Sequence, residues 1–154
     1  MRKLTRRETR EFLLQSLYAR SVLGDTFSRE DFAVSYYTMP VGQAYEDPYF
    51  IEMFDGIIRH EGALLAIFAH YAPKFDVAIM PLINLLPIVI ATYEMLYLQS
   101  EQVPEKVSIN EAIELAKRFS DDASRELVNG VLGKVRDDKS TIVSTIIPRA
   151  PLFF

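Results

Sequence analysis

Apolar residues recur at helical spacing along most of this chain, and no persuasive strand alternation occurs before residue 140. Leu13, Leu14, Leu17 and Tyr18 form the first stripe, with Phe12 and Val22 on its flanks. Thr5-Arg6-Arg7-Glu8 has capping-box spacing, so a helix is predicted to start at Arg6 and to stop at Gly24. Ser28-Arg29-Glu30-Asp31 caps a shorter helix expected to reach about Thr38, where Pro40 ends it. A loop follows over 40–47, and Asp47-Pro48 reads as a cap with proline at the first helical position. One long helix is predicted from there to Pro73, burying Ile51, Phe54, Ile58, Leu65 and Phe68. Gly56 and Gly62 each weaken it by up to about 1 kcal/mol relative to alanine and permit close helix packing.

The run from Val77 to Leu98 is almost wholly apolar, which raises the question of a membrane span. Pro81, Asn84, Pro87, Thr92 and Glu94 interrupt it and no basic cluster flanks it, so it reads as core rather than membrane. A helical turn near 76–80 and a central helix reaching Gln99 are expected, with Pro87 as its kink or its start. Ser108-Ile109-Asn110-Glu111 is a second capping box, opening a helix to Phe119 that buries Ile109, Ala112, Ile113, Ala116 and Phe119. Ser120-Asp121-Asp122 makes a turn. A last helix then runs from about Ser124 to Arg136, with Leu127, Val128, Val131, Leu132 and Val135 inward. Residues 140–154 are rich in Thr, Val and Ile and then in Pro and Phe, and read as an irregular apolar tail with room for a short strand. The fold class is therefore all-α, a helical domain over 1–139 followed by the tail at 140–154.

Charge sharpens this picture. The chain has 154 residues, a net charge of −4 and no cysteine, so disulfides and thiolate metal sites are excluded. Residues 1–10 hold Arg2, Lys3, Arg6, Arg7 and Arg10 against Glu8, a local charge of +4. The other 144 residues therefore carry −8. Cations in a first helical turn oppose the macrodipole, by a few tenths of a kcal/mol each. Their presence points to an anionic ligand; the plainer reading is a solvated terminus.

Catalytic chemistry finds little footing. His60 and His70 are ten residues apart, about 280° around an ideal helix, and share no face. There is no nucleophile elbow, phosphate loop or zinc-helix signature. Asp121-Asp122 and Asp137-Asp138 read as solvated caps, and Gly130 and Gly133 as points of close helix packing. No enzyme activity, metal or cofactor is expected. The basic N-terminus precedes no apolar leader core, and a cytoplasmic protein is expected.

Three stretches together carry a resemblance: Arg6-Arg7-Glu8-Thr9-Arg10 leading into the first stripe, Val107-Ser108-Ile109-Asn110-Glu111-Ala112, and Leu127-Val128-Asn129-Gly130-Val131-Leu132. They resemble the NusB family of bacterial transcription antitermination factors. The resemblance implies two small helical bundles, over about 1–72 and 73–139, that bind a single-stranded boxA-type RNA together with NusE, a ribosomal protein. It also implies an indirect link to the RNA polymerase elongation complex, chiefly in ribosomal RNA operons. Carried over by position, it puts RNA contacts at Arg6, Arg7 and Arg10, with Lys3 just outside the motif, and at Asn129 and Lys134. Tyr18 stands where the family's first helix meets NusE. Family members often have an aromatic residue before Val-Asn-Gly, where this chain has Leu127 beside Glu126. The alternative is a divergent module of the same fold that binds another protein or a second copy of itself. The RNA-binding appendage of a methyltransferase is a third reading; neither a methyl-donor loop nor a catalytic cysteine supports it.

Overall fold

The computed structural model describes residues 4–36 and 46–150, the side chains of 34–36 excepted. Among them every regular element is helical. The first helix, α1 (Arg6–Leu23), begins as its sequence dictates. Thr5 accepts from the Glu8 amide at 3.1 Å, and Glu8 accepts from the Thr5 amide at 3.0 Å. Gly24 stops it with φ at 58°, a left-handed value that favours glycine. A single 3-10 turn (Gly24–Thr26) leads to α2 (Arg29–Tyr36). The expected end of α2 near Thr38 and Pro40 lies outside the described residues, as does most of the loop to Asp47.

The single long helix expected over 48–72 is two. α3 (Pro48–Arg59) and α4 (Glu61–Tyr71) meet at His60, whose φ of −106° and ψ of 21° are not helical. The His60 ring stacks on Tyr97 with centroids 4.4 Å apart, so the break turns an aromatic side chain onto the next layer. Asp47 caps α3 as expected, accepting from the Tyr49 amide at 2.9 Å.

The central helix α5 (Leu82–Leu96) contains Pro87 rather than starting at it. Proline lacks the amide that would bond back to the carbonyl of Ile83. Ser120 supplies the missing donor: its Oγ bonds that carbonyl at 3.1 Å from the turn between the last two long helices. Ser120→Ala should cost about 1 kcal/mol, because a partly buried acceptor then loses its partner. Urea unfolding checks this, and an unchanged midpoint would sink it.

α6 (Glu105–Phe119) begins three residues before the capping box read at Ser108. Pro104 sets the start, and Ser108 lies inside the helix, buried, with its hydroxyl turned inward to Glu94. α7 (Asp122–Asp137) is capped by Asp121, which accepts from the amide and hydroxyl of Ser124 at 2.9 and 2.8 Å. Those bonds hold the Asp121 carboxyl below its usual range. Gly130 does not mediate close packing: a Cβ placed there meets no atom within 4 Å, and Gly133 is nearly as open.

Over its described residues, to Ala150, the tail is helical rather than irregular or extended. α8 (Lys139–Thr141), a π turn (Ile142–Ile146) and α9 (Ile147–Arg149) continue one another. Ile142 is fully buried against α4 and α7, and that anchor outweighs the local strand preference of a β-branched run. Leu152, Phe153 and Phe154 lie outside the described residues.

Two apolar clusters result. One joins Phe12, Leu13, Leu14, Phe50, Met53 and Ile90, gathering α1, α3 and part of α5. The other joins Phe68, Ile88, Ala116, Val128, Leu132 and Ile142, gathering α4 to α7 and the tail. α5 contributes to both. No helix among the described residues is long and apolar enough to cross a membrane.

Candidate nucleic-acid interface

The three arginines of the first helix have different surroundings, and helical geometry explains why. Arg10 shares the spacing of Leu13, Leu14 and Leu17, so its side chain turns toward the core. Arg6 and Arg7 precede the apolar stripe at the helix start, where the surface is open.

Arg7 is exposed and forms a fork with Glu111 of α6, its Nε and one terminal nitrogen each 3.0 Å from a carboxylate oxygen. Arg6 is partly exposed and bonds Glu101 at 2.9 Å, with Asp47 at 3.6 Å. Its guanidinium carbon lies 3.9 Å from the centroid of the Tyr49 ring, a cation–π contact. Glu101 and Glu111 thus hold both arginines in place and also compete with any incoming phosphate. Arg118 of α6 extends this charged strip through a 3.3 Å pair with Glu11.

Arg10 is buried and does not reach solvent. Its Nε and terminal nitrogen donate to the two oxygens of Glu94 at 2.7 and 3.1 Å. The Tyr49 hydroxyl donates to the first of those oxygens at 2.5 Å, and the Ser108 hydroxyl to the second at 2.9 Å. Each carboxylate oxygen therefore accepts two hydrogen bonds, which fills the capacity of an ionised carboxylate. Burial works against the charge on Arg10, but the bond to Glu94 and the neighbouring negative groups outweigh it and hold the guanidinium firmly protonated. Burial also pushes the Tyr49 phenol far above its ordinary range, and the charge of Glu94 adds to that. The node joins α1, α3, α5 and α6 in one buried contact and fixes the helix that carries Arg6 and Arg7.

Glu94, Tyr49 and Ser108 were not legible as site partners. One signal was present. Glu94 is a lone acid in a long apolar run, and a buried carboxylate must find a cation or be neutralised.

The other expected contacts stand elsewhere. Lys3 lies outside the described residues. Asn129 and Lys134 are both exposed on α7. No hydrogen bond or ion pair among the described residues joins either of them to the arginines. α6 packs against both α1 and α7. Tyr18 is 44 % exposed on α1. Nearby, Leu17, Ile57 and Leu64 line a mostly apolar groove of about 290 Å³ between α1 and the neighbouring helices.

Comparison with known proteins gives this arrangement a context. The model of the NusB family matches residues 7–137. The transcription antitermination protein NusB of Bacillus subtilis is 32% identical over 136 residues, 88% of this chain and 97% of that protein. Its counterpart in Lachnoclostridium phytofermentans is 33% identical over 134 residues, 87% of this chain and all of that protein. Among solved structures, NusB of T. maritima superposes with a TM-score of 0.73 at 25% identity, covering 89% of this chain and 94% of that one. With a family match that spans both the arginine-bearing helix and the α6–α7 pair, the chain belongs to the NusB family.

Proposed function

We propose that this chain is an RNA-binding transcription antitermination factor. It takes a boxA-type single-stranded RNA together with NusE and acts within the RNA polymerase elongation complex, chiefly on ribosomal RNA operons. The observation that carries this reading is the pair Arg6 and Arg7. Both stand at a helix start, where cations cost stability, and both are accessible at the surface of a helix fixed from within. Their relatives by sequence bear the name of transcription antitermination proteins.

Arg6 and Arg7 bind RNA phosphates or stack on unpaired bases, exchanging Glu101 and Glu111 for the ligand. Lys3, Asn129 and Lys134 extend the contact. Arg10 serves the site from inside, by holding α1 against α5 and α6. Tyr18 and the groove beside it receive the protein partner. The protein acts by binding, with no catalytic step, in the cytoplasm where transcription occurs.

The test is a titration of fluorescent boxA RNA and a scrambled control, with and without NusE, at several salt concentrations. Binding is expected to prefer boxA, to tighten with NusE and to weaken with salt. Arg6→Ala with Arg7→Ala should weaken it about tenfold and lower the salt slope by roughly one unit or more. Unchanged affinity and slope in that double variant would remove the arginines from the site. Equal binding of both RNAs, with NusE present and the protein folded, would overturn the boxA reading.

A further inference from the structure

The turn after α4 exposes an aromatic ring that no core contact explains. Phe75 is 46 % exposed, although it follows Pro73 in a turn closed by its own amide on the Ala72 carbonyl at 3.0 Å. It lines an open surface cavity of about 590 Å³ with Lys74, Leu127, Gly130 and Lys134. Neither lysine has an ion-pair partner among the described residues. Arg6, Arg7, Arg118 and Lys139, in contrast, are all paired to carboxylates. Glu126 is the one acid lining the cavity, so its charge is positive on balance. Gly130 leaves the floor unfilled, since a Cβ there would meet nothing within 4 Å.

The geometry points to a stacking subsite for one unpaired nucleotide of single-stranded RNA, with Phe75 as the platform and Lys74 and Lys134 taking the adjoining phosphates. The inference rests on the RNA-binding reading above, in which Lys134 is already a contact, and adds the Phe75 ring and Lys74 to it. An exposed ring with free cations beside it is what a flexible strand needs: a π-face for any base and charge for the backbone. A duplex hides its base faces, so the subsite selects unpaired nucleotides. Leu127 offers an apolar wall but no ring to stack on. In this chain the ring comes instead from the neighbouring turn.

The chain contains no tryptophan, which gives the test a clean reporter. Phe75→Trp is titrated with a short boxA RNA and with the same sequence as a duplex, following tryptophan emission. Val22→Trp, at a site 68 % exposed on α1, is the control for non-specific quenching. Saturable quenching of F75W by the single strand, absent for the duplex and for V22W, is the expected result. Phe75→Ala should bind the single strand about tenfold more weakly, while Phe75→Trp keeps its affinity. Because the ring is exposed, neither variant should change the circular dichroism or the unfolding midpoint. If the unsubstituted protein binds the RNA but F75W emission does not respond and F75A binds within twofold of it, the subsite is wrong and the arginine site stands. If the unsubstituted protein binds no RNA at all, both readings fall.

Discussion

Arg10→Ala is expected to lower folding stability by about 3–5 kcal/mol, because it leaves the Glu94 carboxylate buried without its counter-ion. For a chain of this length that corresponds to a fall in Tm of roughly 10 °C. Glu94→Ala should cost a similar amount for the reciprocal reason: a buried guanidinium then keeps no acceptor. The two losses will not add. Once one partner is gone, removing the other relieves an uncompensated charge, so the double variant should be more stable than the sum predicts. Arg10→Met with Glu94→Leu should recover part of the loss, since apolar groups of similar volume can replace a buried ion pair, although the Tyr49 and Ser108 hydroxyls then lose their acceptor. Urea unfolding of the parent, the two single alanine variants and their double variant as a double-mutant cycle measures the coupling, and the Arg10→Met, Glu94→Leu protein is unfolded beside them. A single Arg10→Ala variant within 1 kcal/mol of the parent would show that the pair does not hold the helices together.

Gly56→Ala is the second large effect, and its sign is the opposite of the usual one. In an ordinary helix interior, alanine in place of glycine stabilises by about 0.5–1 kcal/mol. Here the added methyl would overlap the phenol end of Tyr93, and the ring has little freedom to retreat. Tyr93 is buried and stacked on Tyr97, with centroids 5.2 Å apart, and Tyr97 is itself stacked on His60. Overpacking of this kind costs about 1–3 kcal/mol, and the rigid stack places this site at the upper end. Gly130→Ala is the internal control. Its surroundings are open, so the same change should stabilise α7 by about 0.5–1 kcal/mol. Thermal unfolding of both variants decides the matter, and a Gly56→Ala protein as stable as Gly130→Ala would mean that α3 and α5 can separate freely.

The local grammar of the chain is what its sequence made legible. Thr5 and Glu8, Gly24, Asp47 with Pro48, and the Ser120-Asp121 turn each act where their chemistry places them. Those signals are short-range, and the residues that satisfy them are neighbours. The departures arise where a distant partner decides. Ser108 has the spacing of a cap, but Glu94 is a better-buried acceptor, and Pro104 starts the helix instead. The break at His60 lies in the polar stretch Arg59-His60-Glu61 between Ile58 and Leu65, residues that still fit one helical period, and nothing there announces the Tyr97 ring that His60 meets. The tail reads as strand-prone, yet Ile142 has a filled site only when the segment is helical. For the site, the basic character of α1 was legible, but its division was not. Arg10 carries the same charge as Arg6 and Arg7 and lies on the same side of the helix, one turn further in beside the apolar stripe, and its partner is 84 residues away.

That division has a consequence for inheritance. If Arg6 and Arg7 make the proposed RNA contact, a genetic screen that scores loss of antitermination would recover lesions at Tyr49, Glu94 or Ser108 beside lesions at Arg6 and Arg7. Their alleles would look alike on a plate and differ in kind: the buried set would be temperature-sensitive and rescued by stabilising suppressors elsewhere, while the surface set would be suppressed only by changes in the RNA or in the face that meets it.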